Sequence, residues 1–174
     1  MLQTSTKPIF RILLEDQAHG QPWEDLLLRH LPELIAQDQI VKRAQILPRQ
    51  VCHCDLNEEN VLVDADGRVV VLDWDSCGPL AAAHEVAAVL VNPLICFDPA
   101  AFISRYREEG GTFEPNGLEV FGSAIAANNN YLAKMICRAI EGDAWAHSEL
   151  LPMLKAPIRI AVLEQLLGTV RSHP

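Results

Sequence analysis

Residues 51–75 read VCHCDLNEENVLVDADGRVVVLDWD, and the expectations for the rest of the chain follow from this stretch. Two β-branched runs, Val61-Leu62-Val63 and Val69-Val70-Val71-Leu72, flank Asp64-Ala65-Asp66-Gly67-Arg68. An Asp-Gly pair between such runs is a strong hairpin signal, because the turn needs positive φ that glycine adopts without steric cost. Folding about Asp66-Gly67 brings the open ends of the ribbon together. Asp55 and Asn60 stand just before the first strand and Asp73 just after the second. Strand pairing alone therefore converges a carboxylate, an amide oxygen and a second carboxylate. A hard divalent cation such as magnesium takes oxygen ligands and keeps several waters, which suits Asn60 and Asp73 together with the phosphates of a nucleotide. Asp55 is left as a base or orienting group.

The charge of the chain points to the same segment. Of 174 residues, 49% are hydrophobic and 21% charged, the balance of a folded globular protein, and the formal charge is -9. Residues 51–99 hold one cation, Arg68, against nine acids, Asp55, Glu58, Glu59, Asp64, Asp66, Asp73, Asp75, Glu85 and Asp98. The segment's charge of -8 disfavours nucleic acid, whose phosphates need Lys and Arg, and is compatible with a metal ion or a cationic substrate. No apolar run reaches the length of a membrane span and the start lacks a signal peptide, so a soluble cytoplasmic protein is expected. Five cysteines, Cys52, Cys54, Cys77, Cys96 and Cys137, have no framework spacing and read as free thiols. Cys52-His53-Cys54 lacks the two-to-four-residue spacing and the second pair of a zinc knuckle, and Cys52 and Cys54 read as small apolar fillers on a strand preceding the loop.

Outside this segment the pattern is helical. Residues 1–20 form an N-terminal segment of unassigned role, whose run Ile9–Leu14 fits a strand or a helix end. From Gln21, apolar residues spaced by three and four predict an amphipathic helix that Pro32 kinks or splits in two. After Gly78-Pro79, LAAAHEVAAVLV reads as a buried helix stopped by Asn92-Pro93. Asp98-Pro99 caps and starts the next helix, to about Arg107, and Gly110-Gly111 breaks it. Helical stretches near 118–141 and 144–170 follow, with Pro152 and Pro157 as candidate interruptions. The expected fold is α+β and mainly helical, with one hairpin.

His53-x-Asp55-x4-Asn60, then a strand, a turn and Asp73-Trp74-Asp75, resembles the catalytic core of aminoglycoside phosphotransferases and related small-molecule kinases, including choline-kinase-like enzymes. The likeness is firm over residues 51–90. It implies a protein-kinase-like C-lobe over residues 21–174, with the catalytic loop and metal site at 51–75 and a helical subdomain at 79–174. By the same resemblance Asp55 accepts or orients the proton of a substrate hydroxyl, Asn60 and Asp73 bind magnesium, and His53 holds the loop. Asp75 assists metal or substrate, and Glu85 occupies the acidic position that braces the catalytic loop in relatives, where Asp is commoner. Cys54 takes a place usually held by glycine. The implied reaction moves the γ-phosphate of ATP or GTP, with Mg2+, to a hydroxyl of a small molecule.

The segment before His53 carries no G-x-G-x-x-G, with Gly20 its sole glycine, and neither Lys7 nor Lys42 suits a strand-borne nucleotide lysine. The expectation is a C-lobe with the N-lobe absent: a truncated chain, the product of a shortened gene, or a subunit completed by a dimer or by a partner chain over the inter-lobe face. The alternative function is a non-catalytic kinase-like remnant that binds or scaffolds. A two-metal hydrolase built on Asp55, Asp73, Asp75 and His53 is the third reading. Trp23, Trp74 and Trp145 are core residues or stacking surfaces for a sugar or a quaternary amine.

Overall fold

A computed structural model describes residues 9, 11–13, 15, 17–44, 47–92 and 98–172. Lys7, the Pro93 helix stop and Cys96 lie outside the described residues, as do Phe10 and Leu14 of the first apolar run. Ile9 and residues 11–13 are helical rather than extended, and Ile9 and Ile12 enter the core.

Helix α1 spans Glu24–Ala44 without a break at Pro32. Proline removes one backbone hydrogen bond, while buried Leu27 and Leu34 anchor the helix on either side, so packing holds together what Pro32 was expected to split. Strand β1, Gln50–Cys52, leads into the site loop, and β2, Val61–Val63, pairs antiparallel with β3, Val69–Val71, in the register Val61↔Val71 and Val63↔Val69. The hairpin turn is the expected one. Gly67 takes φ +76°, and the Asp64 carboxylate accepts the amides of Asp66 and Arg68 at 2.9 and 2.8 Å.

Strand β4, Gly78–Leu80, turns back to pair with β1, Cys52 opposite Gly78 and Val51 opposite Pro79. Helices then follow β4: α2, Ala82–Leu90; α3, Pro99–Glu108, N-capped by Asp98; α4, Gly122–Ile140; and α5, Ala144–Lys155. Helix α6, Ile160–Arg171, closes the described chain. Pro157 falls in the break between α5 and α6, whereas Pro152 is carried within α5. The architecture is α+β and mainly helical, with two small antiparallel sheets.

The core has two centres. Trp23, Leu27, Met135, Ile136 and Leu150 fill the one between α1, α4 and α5. Val41, Ala87, Ile103, Phe121, Ile125 and Leu163 fill the other, between the end of α1, α2, α3, the start of α4 and α6. Burial of such side chains from water is the main force holding the helices together, at about 1.5–3 kcal/mol for each large one. The β2–β3 ribbon lies outside both, and Leu62, Val63, Val69 and Trp74 remain exposed. No helix among the described residues is long and apolar enough to cross a membrane.

Candidate functional site

The loop from β1 to β2 is held by its own polar groups. His53 is buried, and its ring bridges two backbone segments: Nδ1 accepts the amide of Asp55 at 3.3 Å, which leaves Nε2 to donate to the carbonyl of Leu72 at 2.6 Å. Trp74 closes edge-on over the same ring, centroids 4.8 Å apart. His53 thus ties the Asp55 loop to the exit of the hairpin. Cys54 adopts φ 68°, and its amide donates to the Glu85 carboxylate of α2 at 2.8 Å. The Cys54 side chain is exposed, so of the two expected fillers only Cys52 serves as one; burial pushes that thiol up to about 11.

Asp55 is surrounded by amides. Asn57 Nδ2 donates to Oδ1 and Asn60 Nδ2 to Oδ2, each at 3.3 Å, and Asn60 Nδ2 also reaches the Asp55 carbonyl at 2.9 Å. Asn57 caps the short 3-10 turn Glu58–Asn60, its Oδ1 accepting the amides of Glu59 and Asn60 at 2.9 and 3.2 Å. The carbonyl of Asn60 then accepts Leu72 N–H at 2.8 Å, extending the ribbon and setting Asn60 beside the residue that precedes Asp73. Asp73 takes φ 56°, ψ 63°, a left-handed turn that aspartate tolerates better than most side chains, and begins the 3-10 turn Trp74–Ser76 that carries Asp75.

His53, Asp55 and Asn60 are therefore joined by direct hydrogen bonds, Glu85 holds the intervening Cys54 amide, and Asp73 is joined to them through the backbone of the ribbon. Asp75 is exposed and stands one turn further on. Among the described residues no three His, Cys, Asp or Glu side chains form a metal cluster. A magnesium ion that keeps waters and phosphate ligands needs only one or two protein oxygens. The donor set fits: the Asn60 amide nitrogen faces Asp55, leaving its oxygen for a cation, and the Asp73 carboxylate accepts no hydrogen bond as a cap.

A cavity of about 510 Å3 opens beside Asp55, between the loop, β4, α2 and α4. Leu56, Leu80, Ala88, Ala124 and Ala127 supply its apolar wall. Sequence reading missed Asn57, the Asn92 and Ser123 that also line the cavity, and the alanine wall. Asn57 before Glu58-Glu59 carries a cap signal in retrospect; Ala124 and Ala127, three apart, share a helix face, but nothing local marks that face as a site. A larger cavity of about 630 Å3 lies between the end of α2 and α6 and has no carboxylate in its lining.

A model of the phosphotransferase enzyme family matches residues 4–121. No curated protein and no solved structure matches.

Proposed function

The chain belongs to the phosphotransferase enzyme family, and from that premise we propose that it carries the catalytic half of a kinase-like fold, transferring the γ-phosphoryl group of ATP or GTP to a hydroxyl of a small molecule. The observation that carries this reading is the Asp55 carboxylate, oriented by two side-chain amides at the mouth of a cavity. The acceptor hydroxyl gives its proton to Asp55 as its oxygen bonds to the γ-phosphorus. The bond from that phosphorus to the β–γ bridging oxygen breaks, and the nucleoside diphosphate leaves with the electron pair. Asn60 Oδ1 and the Asp73 carboxylate would hold magnesium, which would supply neutralisation of the phosphate charge. His53 and Glu85 are positioning residues, acting through the loop backbone, and Asp75 assists from the neighbouring turn.

This chemistry depends on positioning and electrostatics rather than on a covalent protein intermediate. The exposed apolar ribbon, with Val63 at 69% and Val69 at 67%, supports a covering lobe, a second copy or a partner chain over the nucleotide. The same exposure favours the second reading, a kinase-like module that docks without catalysing.

Isothermal titration of magnesium-ATP into the chain separates the two. Catalysis predicts magnesium-dependent binding that Asp73→Ala weakens at least tenfold. Absence of binding at millimolar nucleotide by the wild-type chain would favour the docking module.

A further inference from the structure

We propose that the acceptor is an uncharged hydroxylated molecule with a largely apolar body, seated in the cavity beside Asp55 against Ala88, Ala124 and Ala127. This inference rests on the phosphotransferase reading and specifies its substrate class. At about 510 Å3 the cavity suits one compact ring system, within the range of small-molecule sites.

The charge at that place argues against a polycation. The acidic residues that make residues 51–99 so negative are spent elsewhere. Asp64 closes the hairpin turn, Asp66 pairs with Arg68 at 3.5 Å, and Asp98 caps α3. Glu58 and Glu59 lie on an exposed 3-10 turn, and Asp73 and Asp75, at the ribbon's exit, do not line the cavity. Asp55 and Glu85 are the carboxylates in the cavity lining, and Glu85 already accepts the Cys54 amide. Each ammonium taken from water needs a counter-charge or several acceptors, and a molecule with three or four of them would outnumber what the wall offers.

The remaining polar lining is engaged as well. Asn57 uses its oxygen on two backbone amides and its nitrogen on Asp55, while Ser123 Oγ donates to the His84 carbonyl at 3.4 Å. A quaternary ammonium would instead call for aromatic faces. Trp23 is fully buried in the core, Trp74 rests on His53, and Trp145 lies 5.0 Å beneath Arg138. None of the three lines the cavity. What the wall offers is alanine and leucine surface around the oriented Asp55 carboxylate and a Glu85 already engaged by the Cys54 amide, which selects a hydroxyl on an apolar body.

Methyl-resolved NMR of the full chain with magnesium-ATP tests this, using cyclohexylmethanol, choline and spermine as neutral, quaternary and polyamine probes. Cyclohexylmethanol is expected to shift the Ala88, Ala124 and Ala127 methyl resonances at concentrations at least tenfold below either cation. Ala127→Leu, at an exposed position, should fill the cavity and weaken that response at least fivefold. Ala124→Asp should move the preference toward choline and spermine. The proposal is overturned if either cation acts on those methyls at lower concentration than the alcohol, or if no probe moves them. Transfer from γ-labelled ATP is followed in parallel. Binding of the alcohol without Asp55-dependent phosphorylation would sink the proposed reaction and leave the cavity's preference standing, whereas preferential phosphorylation of choline would support the reaction and overturn this inference.

Discussion

Cys54 and Asp73 are the described non-glycine residues with positive φ; Cys54 adjoins Asp55, and Asp73 is itself a proposed magnesium ligand. A left-handed residue other than glycine costs about 1–2 kcal/mol, so both turns persist because their surroundings hold them. For Cys54 the hold is Glu85; for Asp73 it is the ribbon ladder and the following 3-10 turn. His84 is a buried residue whose titration has a definite sign. It is 1% exposed, its Nδ1 accepts the Ser123 amide at 3.3 Å and its Nε2 faces the Ala44 carbonyl at 3.3 Å. Burial, the largest cause, holds its pKa below the ordinary 6.5 even though the Ala44 and Val120 carbonyls favour the charged form; nearby Arg49 lowers it further. The unfolded chain therefore binds a proton that the folded chain refuses. Stability from His84 is complete above about pH 6.5 and is lost as pH falls toward its depressed folded value. Urea midpoints at pH 7.5 and 5.0 should fall with acid in the wild type and fall less in His84→Asn, which starts lower because it loses the ring's packing.

At the scale of elements, α2 is the support of the Asp55 loop, and Glu85 is where it makes contact. Removing the carboxylate leaves the Cys54 amide without its acceptor and frees a strained residue next to Asp55. Glu85→Ala should cost about 1–3 kcal/mol of stability. If the proposed reaction holds, it should also lower kcat at least tenfold with little change in nucleotide affinity. Glu85→Gln keeps an oxygen for the amide and should recover most of both losses, a pattern that a role in charge alone would not give. The elements of this region differ in how far they could be read in advance. The β2–β3 hairpin was legible because its turn is encoded within five residues, Asp64–Arg68, and its strands are neighbours in sequence. The approach of Asp55, Asn60 and Asp73 followed from that pairing. Strand β4 was not legible: three residues containing Pro79 carry no strand pattern, and their partner lies about 28 residues upstream. Pro32 misled in the opposite direction, since a local breaker signal was outweighed by tertiary burial on both sides of it.

Across the whole molecule, α1 and α4 run through both core clusters and pack tightly beside the site. One tight contact is made at Gly122, the first residue of α4. A Cβ there would stand 2.3 Å from the Ala44 Cβ and 3.3 Å from His84 Cε1. Neither Cβ can rotate away, so Gly122→Ala must drive the end of α1 from the start of α4. Overpacking of this kind costs about 1–3 kcal/mol. The displacement would also disturb the His84–Ser123 contact and the Ser123–Ala127 wall of the cavity, while the β2–β3 ribbon, which rests on its own ladder, would stay in place. Ala44→Gly opens the same space from the opposite side, at about 0.5–1 kcal/mol for glycine at a helix end. The double variant Ala44→Gly, Gly122→Ala should therefore unfold at higher urea than Gly122→Ala alone, although each substitution by itself destabilises. Strict additivity of the two losses in a double-mutant cycle would mean that the helices do not meet at this point, and that the wall beside Asp55 is positioned by something other than the α1–α4 crossing.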